Sequence, residues 1–194
     1  MPDRRTHRGP HPRDAKLFAP DAIPALRAAV EDLIWLLDRG YAINASLKLV
    51  GDRFALQQRG RLAVARSVCS TAAAQRRQAH CVEVDQLDGR SLWIDGYNLV
   101  TTLESALSGG VILLGCDGCC RDLASMHGSY RKVSETQPAL EMVGRFVSER
   151  RVAGCHWLFD RPVSNSGRLK TMLQEIASQH NWDWSVELVN NPDP

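Results

Sequence analysis

Three apolar runs in the second half of the chain each end in an aspartate: Leu92-Trp93-Ile94 before Asp95, Val111 to Cys116 before Asp117, and Cys155 to Phe159 before Asp160. Apolar runs this short, alternating with stretches of helical periodicity, read as strands of a mainly parallel sheet covered by helices, an α/β architecture. In such a sheet every carboxyl end lies along one edge, where open α/β folds bind their ligands. The spacing therefore predicts that Asp95, Asp117 and Asp160 converge in space. For any one of them, starting a turn or capping a helix is the competing role.

The pattern upstream is different. Residues 1–16 are rich in Pro, Arg and His without apolar periodicity and read as a disordered tail. From 17 to 80 the chain reads as a helical module of about three helices. One starts near Asp21 with Pro24 in its first turn and stops at Gly40; a short one covers Ala45 to Val50; a longer one runs from Phe54 to about Gln78. At Cys81 the pattern turns to strands. Cys81 to Val84 and Leu92 to Asp95, joined through Leu87-Asp88-Gly89, predict a hairpin. Helix 98–107, strand 111–116, a short helix 120–126, helix 137–151, strand 155–159, helix 167–180 and strand 184–189 follow, so residues 81–194 form the α/β half.

Composition narrows the class. With 44% hydrophobic residues over 194 positions, the chain has the bulk for a real core. No stretch approaches the roughly 20 apolar residues of a membrane span, and Met1 to Lys16 has no apolar signal core, which predicts a cytoplasmic protein without a membrane partner. Six cysteines in a chain of this length do not make a disulfide scaffold, and Cys116, Cys119 and Cys120 read as reduced thiols. Cys116 and Cys119 have zinc-knuckle spacing, but no second Cys-x-x-Cys completes a site. Charge is unevenly spread. Residues 45–80 carry seven basic residues against the single acid Asp52, whereas residues 81–194 carry ten basic and fifteen acidic ones. A basic segment beside an acidic one suits a protein that processes a polyanion, with Arg53, Arg59 and Arg66 gripping a nucleic-acid strand; arginines that only solvate helix faces are the competing reading.

Three converging carboxylates repel one another and call for a cation, and an all-oxygen set selects Mg²⁺ or Mn²⁺. Asp95, Asp117 and Asp160 are the expected metal ligands. Asp122 joins the catalytic set if residues 118–122 curl back, and Asn98 either orients a carboxylate or caps the next helix. Glu104 is expected to face solvent. Ser164-Asn165-Ser166-Gly167 precedes a helix that begins with Arg168; free N–H groups and small hydroxyls there make Ser164, Asn165, Ser166 and Arg168 candidate phosphate contacts. Arg121, Tyr130, Arg131 and Lys132 are candidates for the nucleic-acid backbone.

At Ile94-Asp95-Gly96-Tyr97-Asn98 the sequence resembles the opening strand of PIN-like and NYN-type nuclease domains, over roughly residues 90–193. Gly51-Asp52-Arg53-Phe54, Asp117 to Asp122 and Pro162 to Arg168 together resemble an uncharacterised prokaryotic family, domain of unknown function 434, that pairs a helical N-terminal domain with a PIN-like half. The resemblance implies a metal-dependent nuclease, most often of RNA, with three or four clustered acidic residues. Asp95 and Asp160 carry over, then Asp117 or Asp122. It also implies a late aspartate. Either Asp193 supplies it, or the acidic site is incomplete and the protein is a catalytically inactive RNA-binding or regulatory module that keeps the fold. A homo-oligomer is compatible with the sequence, and no protein partner is indicated.

Overall fold

The computed structural model describes residues 8–124 and 130–190. They divide into two compact units. A helical unit comprises residues 10–81 together with 110–123, and a sheet unit comprises residues 8–9, 82–109, 124 and 130–190.

In the helical unit, α1 (Asp14–Leu17), α2 (Ile23–Leu37), α3 (Ile43–Arg53), α4 (Gln58–Ser67) and α5 (Thr71–Ala79) are followed by the short strands β2 (Ile112–Leu114) and β3 (Cys120–Asp122). Apolar residues at helical spacing put Leu26, Ala29 and Leu33 of α2 against Val50 of α3 and Val64 of α4, the core of this unit. Three expectations change here. Asp14–Leu17 is helical, and Asp14 is buried against Arg59, where composition alone suggests an unstructured tail. The helix expected over 54–78 is two helices, because Val68 is extended and Ser70 starts a new one by accepting the Ala73 N–H at 3.3 Å. Asp38 reinforces that start through the N–H and hydroxyl of Thr71, each at 2.6 Å.

The third change concerns the strand expected over 111–116. Instead of joining the parallel sheet, β2 pairs antiparallel with β3 in a separate two-stranded ribbon, Ile112 opposite Asp122 and Leu114 opposite Cys120. The turn between them explains it. Asp117-Gly118 is hairpin chemistry, and Gly118 takes the left-handed conformation, φ 78°, that the turn needs. The pairing also replaces the short helix expected over 120–126; residues 125–126 lie outside the described residues.

The sheet unit contains β1 (Ser91–Asp95), α6 (Gly96–Leu107), α7 (Thr136–Glu149), β4 (Gly154–Asp160), α8 (Ser166–His180) and β5 (Trp184–Val189). All three strands are parallel in the order β1-β4-β5, with Asp95 opposite Leu158 and Asp160 opposite Val189. The hairpin expected before β1 does not form. Glu83 and Gln86 make a reciprocal capping box that starts a 3-10 turn over Val84–Leu87, a local bond set that a strand at Cys81 to Val84 would forgo.

One face of the sheet is the core. Cys155, Trp157 and Phe159 of β4 and Val186 of β5 are buried against Tyr97 and Val100 of α6, Leu140 and Val143 of α7, and Leu169 and Leu173 of α8. By strand alternation the other face carries Trp93, His156, Leu158 and Glu187. Trp93 is 69% exposed and stacks on His156 with ring centroids 4.5 Å apart. Among the described residues no helix is long and apolar enough to cross a membrane.

Candidate functional site

The carboxyl edge of the parallel sheet gathers two of the three expected aspartates. Asp95 ends β1 and Asp160 ends β4, and alternation puts both on the face of Trp93 and His156, opposite the core. Since Asp95 stands opposite Leu158, Asp160 lies one diagonal step further, about 8 Å between Cα positions at ordinary strand spacings.

Asp95 is also the N-cap of α6. One carboxylate oxygen accepts the Asn98 N–H at 3.2 Å and the other the Asn98 side-chain amide at 2.5 Å. The cap thus belongs to Asp95, and Asn98 orients that carboxylate from inside the helix. The intervening Gly96 is required by packing, since a Cβ there would sit 2.3 Å from the ring of Phe159. No cation pairs with Asp95 among the described residues.

Asp117 and Asp122 do not share this edge. They belong to the β2–β3 ribbon of the helical unit, and the expectation of a three-strand aspartate cluster is corrected accordingly. The side chain of Asp117 is 1% exposed and takes Arg121 at 2.6 and 2.8 Å, Arg77 at 2.8 Å and the Cys119 N–H at 3.2 Å. The Arg121 hydrogen bonds, helped by Arg77, hold its carboxyl well below the usual carboxylate range and raise Arg121 in turn. Asp122 is buried beside Arg66, whose guanidinium donates to the Asp122 carbonyl at 2.8 Å. Among the described residues no group of three or more His, Cys, Asp or Glu side chains is placed to hold a metal ion, and Asp193 lies outside those residues.

The basic candidates are largely engaged within their own unit. Arg59 binds Asp14 through Nε and Nη2 and donates from Nη1 to the Leu123 carbonyl; Arg53 pairs with Asp32 at 3.0 Å but stays 71% exposed. Arg131 and Arg168 are exposed in the sheet unit, as is Lys132.

Beside Asp160 lies the start of α8, the segment expected to contact phosphate. Asn165 adopts a left-handed conformation, φ 71°, and its amide donates to the Tyr130 carbonyl at 3.0 Å while Ser164 accepts the Tyr130 N–H at 3.1 Å. This latch leaves the helix without a side-chain cap, and the Gly167 N–H has no acceptor among the described residues. Ser164, Asn165 and Arg168 are exposed, Ser166 is buried, and open space lies over Gly167.

Three residues were misplaced or missed by sequence reasoning. Glu104, expected at the surface, is fully buried on α6; Thr136 donates to it at 2.5 Å, and Tyr130 and Arg8 close the cluster. Tyr130, expected near a nucleic-acid backbone, is 1% exposed, and burial together with Glu104 drives its phenol far up. Tyr97 sits inside the Asp95-Gly96-Tyr97-Asn98 motif yet received no role. Its hydroxyl is buried and makes no hydrogen bond of ordinary geometry among the described residues. Burial and then the Asp160 carboxylate push it up to about 12, with Ser166 acting the other way. The signal available in sequence was only its place in the motif.

Residues 84–194 match the family described as Domain of unknown function (DUF5616), and residues 25–80 match the one described as Protein of unknown function (DUF434). The chain is similar to the uncharacterized protein MJ0935 of Methanocaldococcus jannaschii, 25% identical over 169 residues that cover 87% of this chain and 81% of that protein. No solved structure matches.

Proposed function

We propose that this chain, which belongs to the DUF5616 family, is a Mg²⁺- or Mn²⁺-dependent nuclease that hydrolyses RNA phosphodiesters at the carboxyl edge of its parallel sheet, in a PIN-like manner. The observation that carries this reading is the pair Asp95 and Asp160 on one face at adjacent strand ends. The donor set fits. Mg²⁺ is commonly held by one or two carboxylates plus substrate phosphate oxygens, so two aspartates without a third protein ligand are compatible with it. When bound, the ion supplies Lewis acidity towards the phosphoryl group and its bound water.

The chain's own residues do the rest. Asn98 holds the Asp95 carboxylate in one orientation through two hydrogen bonds. Asp160 supplies the second carboxylate. The uncapped start of α8, with Ser164, Ser166 and the Gly167 N–H, receives a phosphate of the substrate, and Arg131 and Arg168 of the same unit attract the polyanion.

The test is cleavage of an end-labelled single-stranded RNA by the full chain in Mg²⁺ or Mn²⁺, with EDTA as the blank. Asp95→Asn keeps a good helix cap and should lower the rate at least ~100-fold with an unchanged circular dichroism spectrum. Full metal-dependent activity in that variant, or no cleavage by the unaltered chain, would overturn the assignment.

A second reading is favoured by one observation. Asp117 and Asp122, which the resemblance enlists in the acidic set, are engaged by arginines of the helical unit. A non-catalytic RNA-binding module that keeps this fold accounts for that, and it predicts RNA binding that weakens steeply with salt and no turnover.

A further inference from the structure

The helical unit brings together two thiols that are distant in sequence. Cys69 lies between α4 and α5 and Cys116 at the turn between β2 and β3, and their sulfurs are 3.5 Å apart. The approach is built into the backbone. The Cys69 N–H donates to the Cys116 sulfur at 3.2 Å, the Cys116 thiol faces the Cys69 carbonyl at 3.7 Å, and the Cys116 N–H donates to the Ser67 carbonyl at 2.9 Å. These bonds anchor the turn to the α4–α5 joint on both sides of the pair. Cys119 is oriented otherwise. Its N–H is taken by Asp117 and its carbonyl accepts from Gly115, so the Cys-x-x-Cys spacing of Cys116 and Cys119 is not the contact that the fold makes.

We propose that Cys69 and Cys116 are an oxidative modification site, a dithiol that a hydroperoxide converts to an intramolecular disulfide. The chemistry closes with a hydroperoxide as the only co-reactant. The more exposed Cys116 attacks the peroxide as thiolate; an S–O bond forms, the O–O bond breaks, and the departing oxygen leaves as water or alcohol after taking a proton. Cys69, having lost its proton, then attacks the Cys116 sulfur, the S–S bond forms and the S–OH bond breaks, releasing water. Two thiols lose two electrons and two protons, and the peroxide takes them up. From 3.5 Å the sulfurs must approach to the ~2.05 Å of a disulfide, a shift that side-chain torsions supply.

Burial and the neighbouring Cys116 push the Cys69 thiol up to about 11, so the resolving step accelerates as the solution becomes alkaline. The site is independent of the nuclease reading, because neither thiol lies in the sheet unit.

The experiment treats the full chain with hydrogen peroxide, reads its intact mass, and maps peptides without reduction. The expected result is a loss of about 2 Da and one cross-linked peptide pair joining Cys69 to Cys116, faster at pH 9 than at pH 7. Cys69→Ser should leave an oxygen adduct on Cys116 instead of the mass loss, while Cys119→Ser and Cys120→Ser should behave as the unaltered chain. An unchanged mass, oxygen adducts without a cross-link, or a link from Cys116 to Cys119 would each overturn the proposal. The unaltered chain alone decides between these outcomes, so a variant that fails to fold does not obscure the answer.

Discussion

The stretches around β1 and β2 look alike in sequence, each an apolar run closed by an aspartate and then a glycine, yet the two carboxylates live in different electrostatic surroundings. Asp117 is neutralised by Arg77 and Arg121 and shut away from water. Among the described residues Asp95 is met by the neutral amide and N–H of Asn98. A carboxylate whose charge is matched by two guanidinium groups is committed to holding its own turn together. One at the edge of a parallel sheet that no cation meets among the described residues is a candidate ligand, and this contrast separates it from a fold-stabilising aspartate.

The contrast can be broken by substitution, and the largest effect should come from a third carboxylate that belongs with Asp117. Glu104→Ala removes the acceptor of Tyr130 and Thr136 and the partner of Arg8, leaving buried donors and a cation uncompensated. It should cost about 3–5 kcal/mol of stability, read as a shift in the urea midpoint. A loss below 1 kcal/mol would mean that this cluster is not the buried network described above.

Asp117→Ala should cost less, about 2–3 kcal/mol, because Arg77 is half exposed and water takes up part of its charge once the partner is gone. Hydrogen exchange at Cys120 to Asp122 should report it. Asp95→Asn should change stability by only about 0.5 kcal/mol or less, since asparagine caps nearly as well as aspartate. If Asp95→Asn proved as destabilising as Asp117→Ala, the distinction between the two aspartates would collapse.

Acid should act on the same side of the contrast, by protonating the carboxylate that Asp117→Ala removes. In Asp117 the Arg121 hydrogen bonds outweigh burial; in Asp14 burial opposes ionisation, but Arg59 and the His11 N–H outweigh it. Both folded values lie below the ordinary aspartate value near 3.9, so their contribution is complete above that pH and fades as pH falls through the depressed values. The urea midpoint of the helical unit should therefore hold from pH 7 to about 5 and decline below about 4. Asp117→Asn should flatten that decline.

Local chemistry made much of this legible in advance. Helices α2, α6, α7 and α8 and strands β1, β4 and β5 were readable because their apolar residues recur with helix or strand period and because Pro24 and Gly40 punctuate the chain at compatible positions. The errors fall where a short-range bond set competes with an apolar run. Glu83 with Gln86 outcompetes a strand, Ser70 with Ala73 splits a helix, and Asp117-Gly118 folds a ribbon where alternation suggested another parallel strand.

For the candidate site, the sequence by itself determined that aspartates close β1 and β4, and hence that Asp95 and Asp160 share the carboxyl edge, because parallel pairing aligns strand ends whatever lies between them. Only the tertiary structure decided that Asp117 is held by arginines, that Glu104 is buried, that the Tyr97 hydroxyl is enclosed near Ser166 and Asp160, and that Cys69 meets Cys116. The physical reason is common to all four. A side chain's charge state, exposure and reactivity are set by groups that reach it through space from other elements, and residue spacing along one strand or helix carries no record of them.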